Sequence, residues 1–278
     1  MLALVLFSLP VGFLLVLPLT ALAVRWGRRM GAMDSPGVVG HEKVLRSVPN
    51  IGGIPLAIGV LGPVFIGLLA MAIWGGEIVY SLVPEASDFA DRLASQQRAW
   101  WSILIGGLFL HLIGLLDDRR PLPPWPKLGA QVLVALLVVF IGELRLLTAL
   151  DAFGPAGVSL SATLTVVWIV LITNAFNFLD NMDGLSGGVA AIAAAIFMAA
   201  TIINGQFFTA AAFGLLCGGL LGFLSFNVPP ARIFMGDGGS YFLGFSLAAI
   251  SVIGPAKELT TVSLLLPLLI LSLPLADM

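Results

Sequence analysis

Apolar runs of about twenty residues recur along nearly the whole of this 278-residue chain. A helix needs ~20 apolar residues to cross the hydrocarbon core of a bilayer. The sequence offers about nine such runs, at roughly 2–24, 50–73, 100–116, 127–147, 160–179, 184–204, 207–226, 240–254 and 260–276. Charged residues amount to 10% and apolar ones to 59%, with a mean hydropathy of +1.07. Soluble domains average ~25% charged residues. A chain this poor in charge cannot cover a water-facing surface or neutralise a nucleic-acid backbone, so a soluble enzyme and a nucleic-acid binder are excluded. The runs are continuous rather than alternating in polarity, which favours helices over a barrel. The expected fold is all-α: a polytopic integral membrane protein of one domain over 1–278.

The fourth and eighth runs are the weakest. Glu143 and Arg145 interrupt the far end of the fourth, and Gly254-Pro255 closes the short eighth, so either can be re-entrant. Ala21-Leu22-Ala23 has the form of a cleavage site, but Arg25, Arg28 and Arg29 follow directly, and positive charge resists export. The first run is therefore read as a spanning helix. With the N-terminus outside, the inner loops carry Arg25, Arg28, Arg29, Lys43, Arg46, Arg119, Arg120, Lys127 and Arg232. The outer loops carry Arg92, Arg98, Arg145 and Lys257, so the bias is positive inside. The loop 74–99, with Glu77, Glu85, Asp88 and Asp91, falls outside. The single cysteine, Cys217, rules out an internal disulfide; near Gly214 and Gly218 it reads as a helix-packing position.

Under that topology the polar segments gather on the inner side. Asp117, Asp118 and Asp180 sit at helix C-termini, the unfavourable end of the dipole for a carboxylate, and Arg119 and Arg120 are at hand to relieve them. With Asp183 and Asp237 they make a set of acids near a membrane, which is costly unless used. Oxygen donors without a His/Cys set suit a hard cation, Mg²⁺ or Mn²⁺. Gly236-Asp237-Gly238-Gly239-Ser240 precedes the eighth run, where free backbone N–H groups can hold an anion. Lys127, Arg46 and Arg232 add fixed positive charge, so acids, cations and an anion nest together point to a metal-bridged phosphate. Asn174, Asn177 and Asn181 form one stripe if the fifth helix continues that far. His111, inside the third run, reads as a packed histidine rather than a ligand.

Three segments, Gly114–Asp118, Asn174–Gly184 and Phe226–Ser240, resemble the signature stretches of the polyprenyl-phosphate N-acetylhexosamine-1-phosphate transferases, as does the loop from Arg46 to Gly53. The resemblance runs from about residue 34 to 277 and implies transfer of a sugar-1-phosphate from a UDP-sugar to polyprenyl phosphate, with release of UMP. It implies Mg²⁺ as cofactor, with Asp237 and Asn177 at the metal. Asp117, Asp118, Asp180 and Asp183 would be the catalytic acids. Arg46, Lys127, Asn177, Arg232, Gly238 and Ser240 would contact substrate. It also implies a homodimer, a place in the inner (cytoplasmic) membrane, and a site facing the cytoplasm. The chain departs from the family at Pro121, where a third acid is usual, and near Val44, where a histidine is usual. It ends at Asp277-Met278, before a histidine-containing loop common in the family, so it is expected to be incomplete at its C-terminus.

Gly-Leu-Leu-Asp-Asp followed by Leu122, Pro124, Lys127, Leu128 and Gln131 looks more like the GlcNAc-1-phosphate branch than the muramoyl-pentapeptide branch, which is the alternative within the class. A transporter or an inactive scaffold are the alternatives from other classes. A transporter would carry its charges near the bilayer midplane on broken helices.

Overall fold

The computed structural model describes residues 2–30, 48–74 and 93–253. The ninth apolar run, Arg46, His41, Lys43, Arg92, Lys257 and the acids of the 74–99 loop lie outside the described residues.

Among the described residues the long elements are all helical: α1 (Leu2–Met30), α2 (Gly53–Trp74), α3 (Gln97–Arg119), α4 (Pro124–Phe140), α5 (Pro155–Leu179), α6 (Leu185–Ile203), α7 (Phe207–Asn227) and α8 (Gly236–Ile253). A short 3₁₀ segment, Thr148–Phe153, joins α4 to α5. Six of the helices, α1–α3 and α5–α7, are long and apolar enough to span a membrane. In lipid the backbone can satisfy its hydrogen bonds only within a helix or a closed barrel. Hydroxyls inside the helices follow the same rule: Thr20, Thr173 and Thr201 each donate to a carbonyl one turn back.

The first helix runs unbroken past Ala23 to Met30, with Pro10 and Pro18 inside it. The fourth is shorter than its apolar run suggested. It stops at Phe140, because Gly142 packs against Ser102 and Glu143 adopts a positive φ of 55°. Glu143 then pairs with Arg98 at 2.7 Å, and Arg145 grips Asp151 with two bonds of 2.7 Å.

The eighth run, weak because it is short and closed by Gly254-Pro255, forms the centre of the bundle. Every residue of α8 except Asp237 is buried. It packs chiefly on α3 and α5 and also touches α2. Its Gly and Ser positions serve close helix approach, not lipid contact: Gly244 abuts Thr173 and Ile172 of α5, and Gly53 of α2 meets Gly239. Small residues also join α1 to α7, where Gly218 meets the Leu9 carbonyl and Gly222 meets that of Phe13.

The C-terminal ends of α1, α3, α5 and α7 and the N-terminal ends of α2, α4, α6 and α8 share one end of the bundle. Gly27 touches Pro49 there, and the 48–53 segment pairs with the 233–235 segment: Phe234 N donates to Pro49 O, and Gly52 and Gly53 donate to Phe234 and Met235. The polar inner-loop segments within the described residues are thus neighbours in space. Exposed Trp26 and Trp125 lie at this end and Trp74 at the other, as aromatic residues do at the two interfaces of a bilayer.

Candidate active site

The Asp117-Asp118 pair ends α3 with both carboxylates on the negative pole of its dipole. Arg119 and Arg120 are both exposed, and the hydrogen-bond partners of the pair are other groups. Asp118 turns to the opposite pole of another helix. Its Oδ1 accepts from Asp237 N at 2.9 Å and from Asn50 Nδ2 at 3.0 Å; its Oδ2 accepts from Gly238 N at 3.1 Å. A carboxylate on free N–H groups at a helix N-terminus gains from both hydrogen bonds and dipole. Asp117 is relieved differently. Its Oδ2 accepts from Lys127 Nζ at 2.6 Å and its Oδ1 from Leu122 N at 2.7 Å. The Asp117 side chain is only 2% exposed and that of Lys127 26%, so Lys127 is the cation that lets this carboxylate be buried.

Asp237 projects from the first turn of α8 toward Asp117, within hydrogen-bonding reach of it. Asn177 Nδ2 donates to Asp237 Oδ1 at 2.7 Å and to Ser240 Oγ at 2.9 Å. Buried Tyr241 brings its hydroxyl to Asp117. Two carboxylates this close cannot both be ionised and bare; a proton or a cation must sit between them. The groups around them are oxygen donors, which suits a hard cation. Mg²⁺ is commonly held by one or two carboxylates, with water and substrate phosphate completing its shell. Asp117 and Asp237 fit that mode. Among the described residues no three His, Cys, Asp or Glu side chains converge as a metal-holding set. Of the five aspartates, Asp117 and Asp237 bring their side chains within reach of each other.

Several of the residues expected to be catalytic or to touch substrate make contacts within the chain. Gly238 is buried with its N–H on Asp118, and Ser240 is buried on Asn177, so the anion held at this helix terminus is the chain's own carboxylate. Asp118, expected to be catalytic, is committed to three N–H donors. Asp183 Oδ2 accepts from Ala231 N at 3.1 Å and so anchors the α7–α8 loop. Arg232 is exposed, bonded to the Ser225 carbonyl at 3.0 Å and stacked over Phe226. Asp180 is half-buried and closes α5. The asparagine stripe does not hold. The helix ends at Leu179, so Asn181 is exposed; Asn174 pairs with Gln131 of α4, and Asn177 alone reaches the acids.

Tyr241, Asn227 and Asn50 were not singled out from the sequence. Asn227 accepts from Gly184 N and donates to the Ile233 carbonyl, tying the two loops together. Its position between Phe226 and Pro229, inside one of the motif segments, was the available signal. His111, expected to be packed, is buried on α3 with Nδ1 2.9 Å from the Gly238 carbonyl.

Residues 100–255 match the sequence profile of glycosyl transferase family 4. The chain is 30% identical to a probable undecaprenyl-phosphate N-acetylglucosaminyl 1-phosphate transferase of Bacillus subtilis, over 96% of this chain and 68% of that protein. It is 31% identical to a decaprenyl-phosphate N-acetylglucosaminephosphotransferase of Mycobacterium leprae, over 76% of this chain and 52% of that one. A phospho-N-acetylmuramoyl-pentapeptide-transferase of Heliobacterium modesticaldum is 35% identical, over 60% of this chain and 54% of its own. The chain thus spans between about half and two thirds of the length of these relatives.

Proposed function

The chain belongs to glycosyl transferase family 4, and on that premise we propose that it transfers a sugar-1-phosphate from a UDP-sugar to a polyprenyl phosphate. The sugar is N-acetylglucosamine in this reading, because the relative matched over most of the chain bears that name. An oxygen of the lipid phosphate bonds to the sugar-bearing phosphorus. The bond from that phosphorus to the bridging oxygen breaks, and UMP leaves with the electron pair.

The observation that carries this reading is the meeting of Asp117, Asp237, Asn177 and Lys127, drawn from α3, α8, α5 and α4, at one end of a membrane bundle. One substrate is a lipid and the other is water-soluble, so the reaction belongs at an interface. Both substrates are anions, so their approach needs positive charge. Mg²⁺ held by Asp237 and Asp117 would supply it and stabilise charge on the leaving group. Lys127 places its ammonium beside Asp117, where it can hold the lipid phosphate. Asn177 fixes the Asp237 carboxylate by donating from Nδ2 to its Oδ1.

This end of the bundle faces the cytoplasm in our reading. Arg25, Arg28, Arg29, Arg119, Arg120, Lys127 and Arg232 belong to it, while Arg98 and Arg145 belong to the other. The acids lie at that end, not at mid-bundle as a carrier would have them.

The test supplies membranes containing the protein with undecaprenyl phosphate, Mg²⁺ and a panel of UDP-sugars, and measures transfer of label into the lipid phase. Incorporation from UDP-N-acetylglucosamine, dependent on added lipid, is the expected result. Incorporation only from the UDP-muramoyl-pentapeptide would move the chain to the other branch. None from any donor would overturn the reading.

A further inference from the structure

The third helix meets the first turn of α8 through one face, formed by His111, Gly114 and Asp118 at i, i+3 and i+7. Gly114 has no side chain to hold the helices apart: a Cβ there would lie 2.4 Å from the Asp237 carbonyl oxygen and from the Gly238 nitrogen. Asp118 accepts from the N–H groups of Asp237 and Gly238. His111 approaches the same turn from the other side, with Nδ1 2.9 Å from the Gly238 carbonyl oxygen. A carbonyl only accepts, so Nδ1 carries the proton and donates. The ring is buried, 5% exposed, and lies edge-on to Phe242. Gly238, the residue that follows Asp237, is therefore held at its N–H by Asp118 and at its carbonyl by His111, both from α3. This arrangement fixes where the Asp237 side chain leaves the helix relative to Asp117, which α3 also carries.

We propose that His111 is a positioning residue for Asp237: by holding the Gly238 carbonyl it sets the first turn of α8 so that the Asp237 and Asp117 carboxylates face each other. The proposal rests on the transferase reading for its activity arm and on the geometry alone for its structural arm. Asparagine places its amide nitrogen where histidine places Nδ1, glutamine does not, and phenylalanine fills the space with no donor.

The variants His111→Asn, His111→Gln and His111→Phe are compared with wild type in two measurements. The first is hydrogen exchange of the segment 234–242 in detergent-solubilised protein. We expect faster exchange in H111F and H111Q and wild-type protection in H111N. The second is steady-state transfer: kcat falls on the order of tenfold to a hundredfold in H111F and H111Q, KM for the UDP-sugar stays within about twofold, and H111N recovers most of kcat. If H111F does not accumulate, H111N and H111Q decide the matter. Equal protection and equal kcat in the asparagine and glutamine variants overturn the proposal. An inactive wild type with the exchange pattern as expected removes the transferase reading and leaves the positioning intact.

Discussion

Replacing Gly114 with alanine should drive α3 and α8 apart at the point where both carry acids. The added methyl would lie 2.4 Å from two backbone atoms of α8, whereas ordinary contact begins at 3.4 Å. Backbone cannot rotate away as a side chain tip can, so the helices must separate locally by about 1 Å. Overpacking of this kind costs about 1–3 kcal/mol. The bonds from Asp237 N and Gly238 N to Asp118, now 2.9 and 3.1 Å, would stretch beyond useful length. Loss of both adds about 1 kcal/mol or more each. The control is Gly188→Ala on α6, where a Cβ meets nothing within 4 Å; alanine there gains helix propensity of up to ~1 kcal/mol. Thermal unfolding of the purified protein in one detergent reads the difference. G114A should unfold several degrees below wild type and G188A at or above it. A G114A protein as stable as wild type would refute the close approach of the two helices.

Other consequences follow from the same contacts. Asp118→Asn leaves one acceptor oxygen for three N–H donors and removes charge from a helix N-terminus, so thermal unfolding should report a loss of about 1–3 kcal/mol. Lys127→Met strands the buried Asp117 carboxylate and should destabilise by about 3 kcal/mol in the same assay, while Lys127→Arg keeps most of the stability. On the opposite end, the hydrogen bonds from Arg145 hold the Asp151 carboxyl below its usual range. A lowered carboxyl contributes stability above the ordinary range and loses it as pH falls through the lowered value. The stability difference between wild type and Asp151→Asn should therefore shrink on acidification; a difference that grows would contradict the pairing.

The class of fold was written in hydropathy, because lipid imposes length and apolarity on every spanning helix. What hydropathy could not rank was burial. The eighth run is short and closed by Gly254-Pro255, yet its Gly and Ser positions allow α8 to sit at the centre among α2, α3 and α5. The fourth run lost its last residues to a positive φ at Glu143, which composition does not encode. At the site, the motif segments named residues that meet in space but not the division of labour among them. Asp117 and Asp118 are adjacent and chemically identical. Only the position of α8 makes one of them a helix cap and turns the other toward Lys127. The asparagine stripe assumed a helix longer than the one that ends at Leu179. His111, Gly114 and Asp118 share a helical spacing that was readable, but nothing local says that all three meet one turn of α8.

The proposed transfer depends most directly on Asp237. UMP release from UDP-N-acetylglucosamine in membranes supplied with undecaprenyl phosphate should fall on the order of a hundredfold or more in Asp237→Asn, and less than tenfold in Asp183→Asn, whose carboxylate holds a loop. Asp237→Asn turning over at the wild-type rate would contradict it.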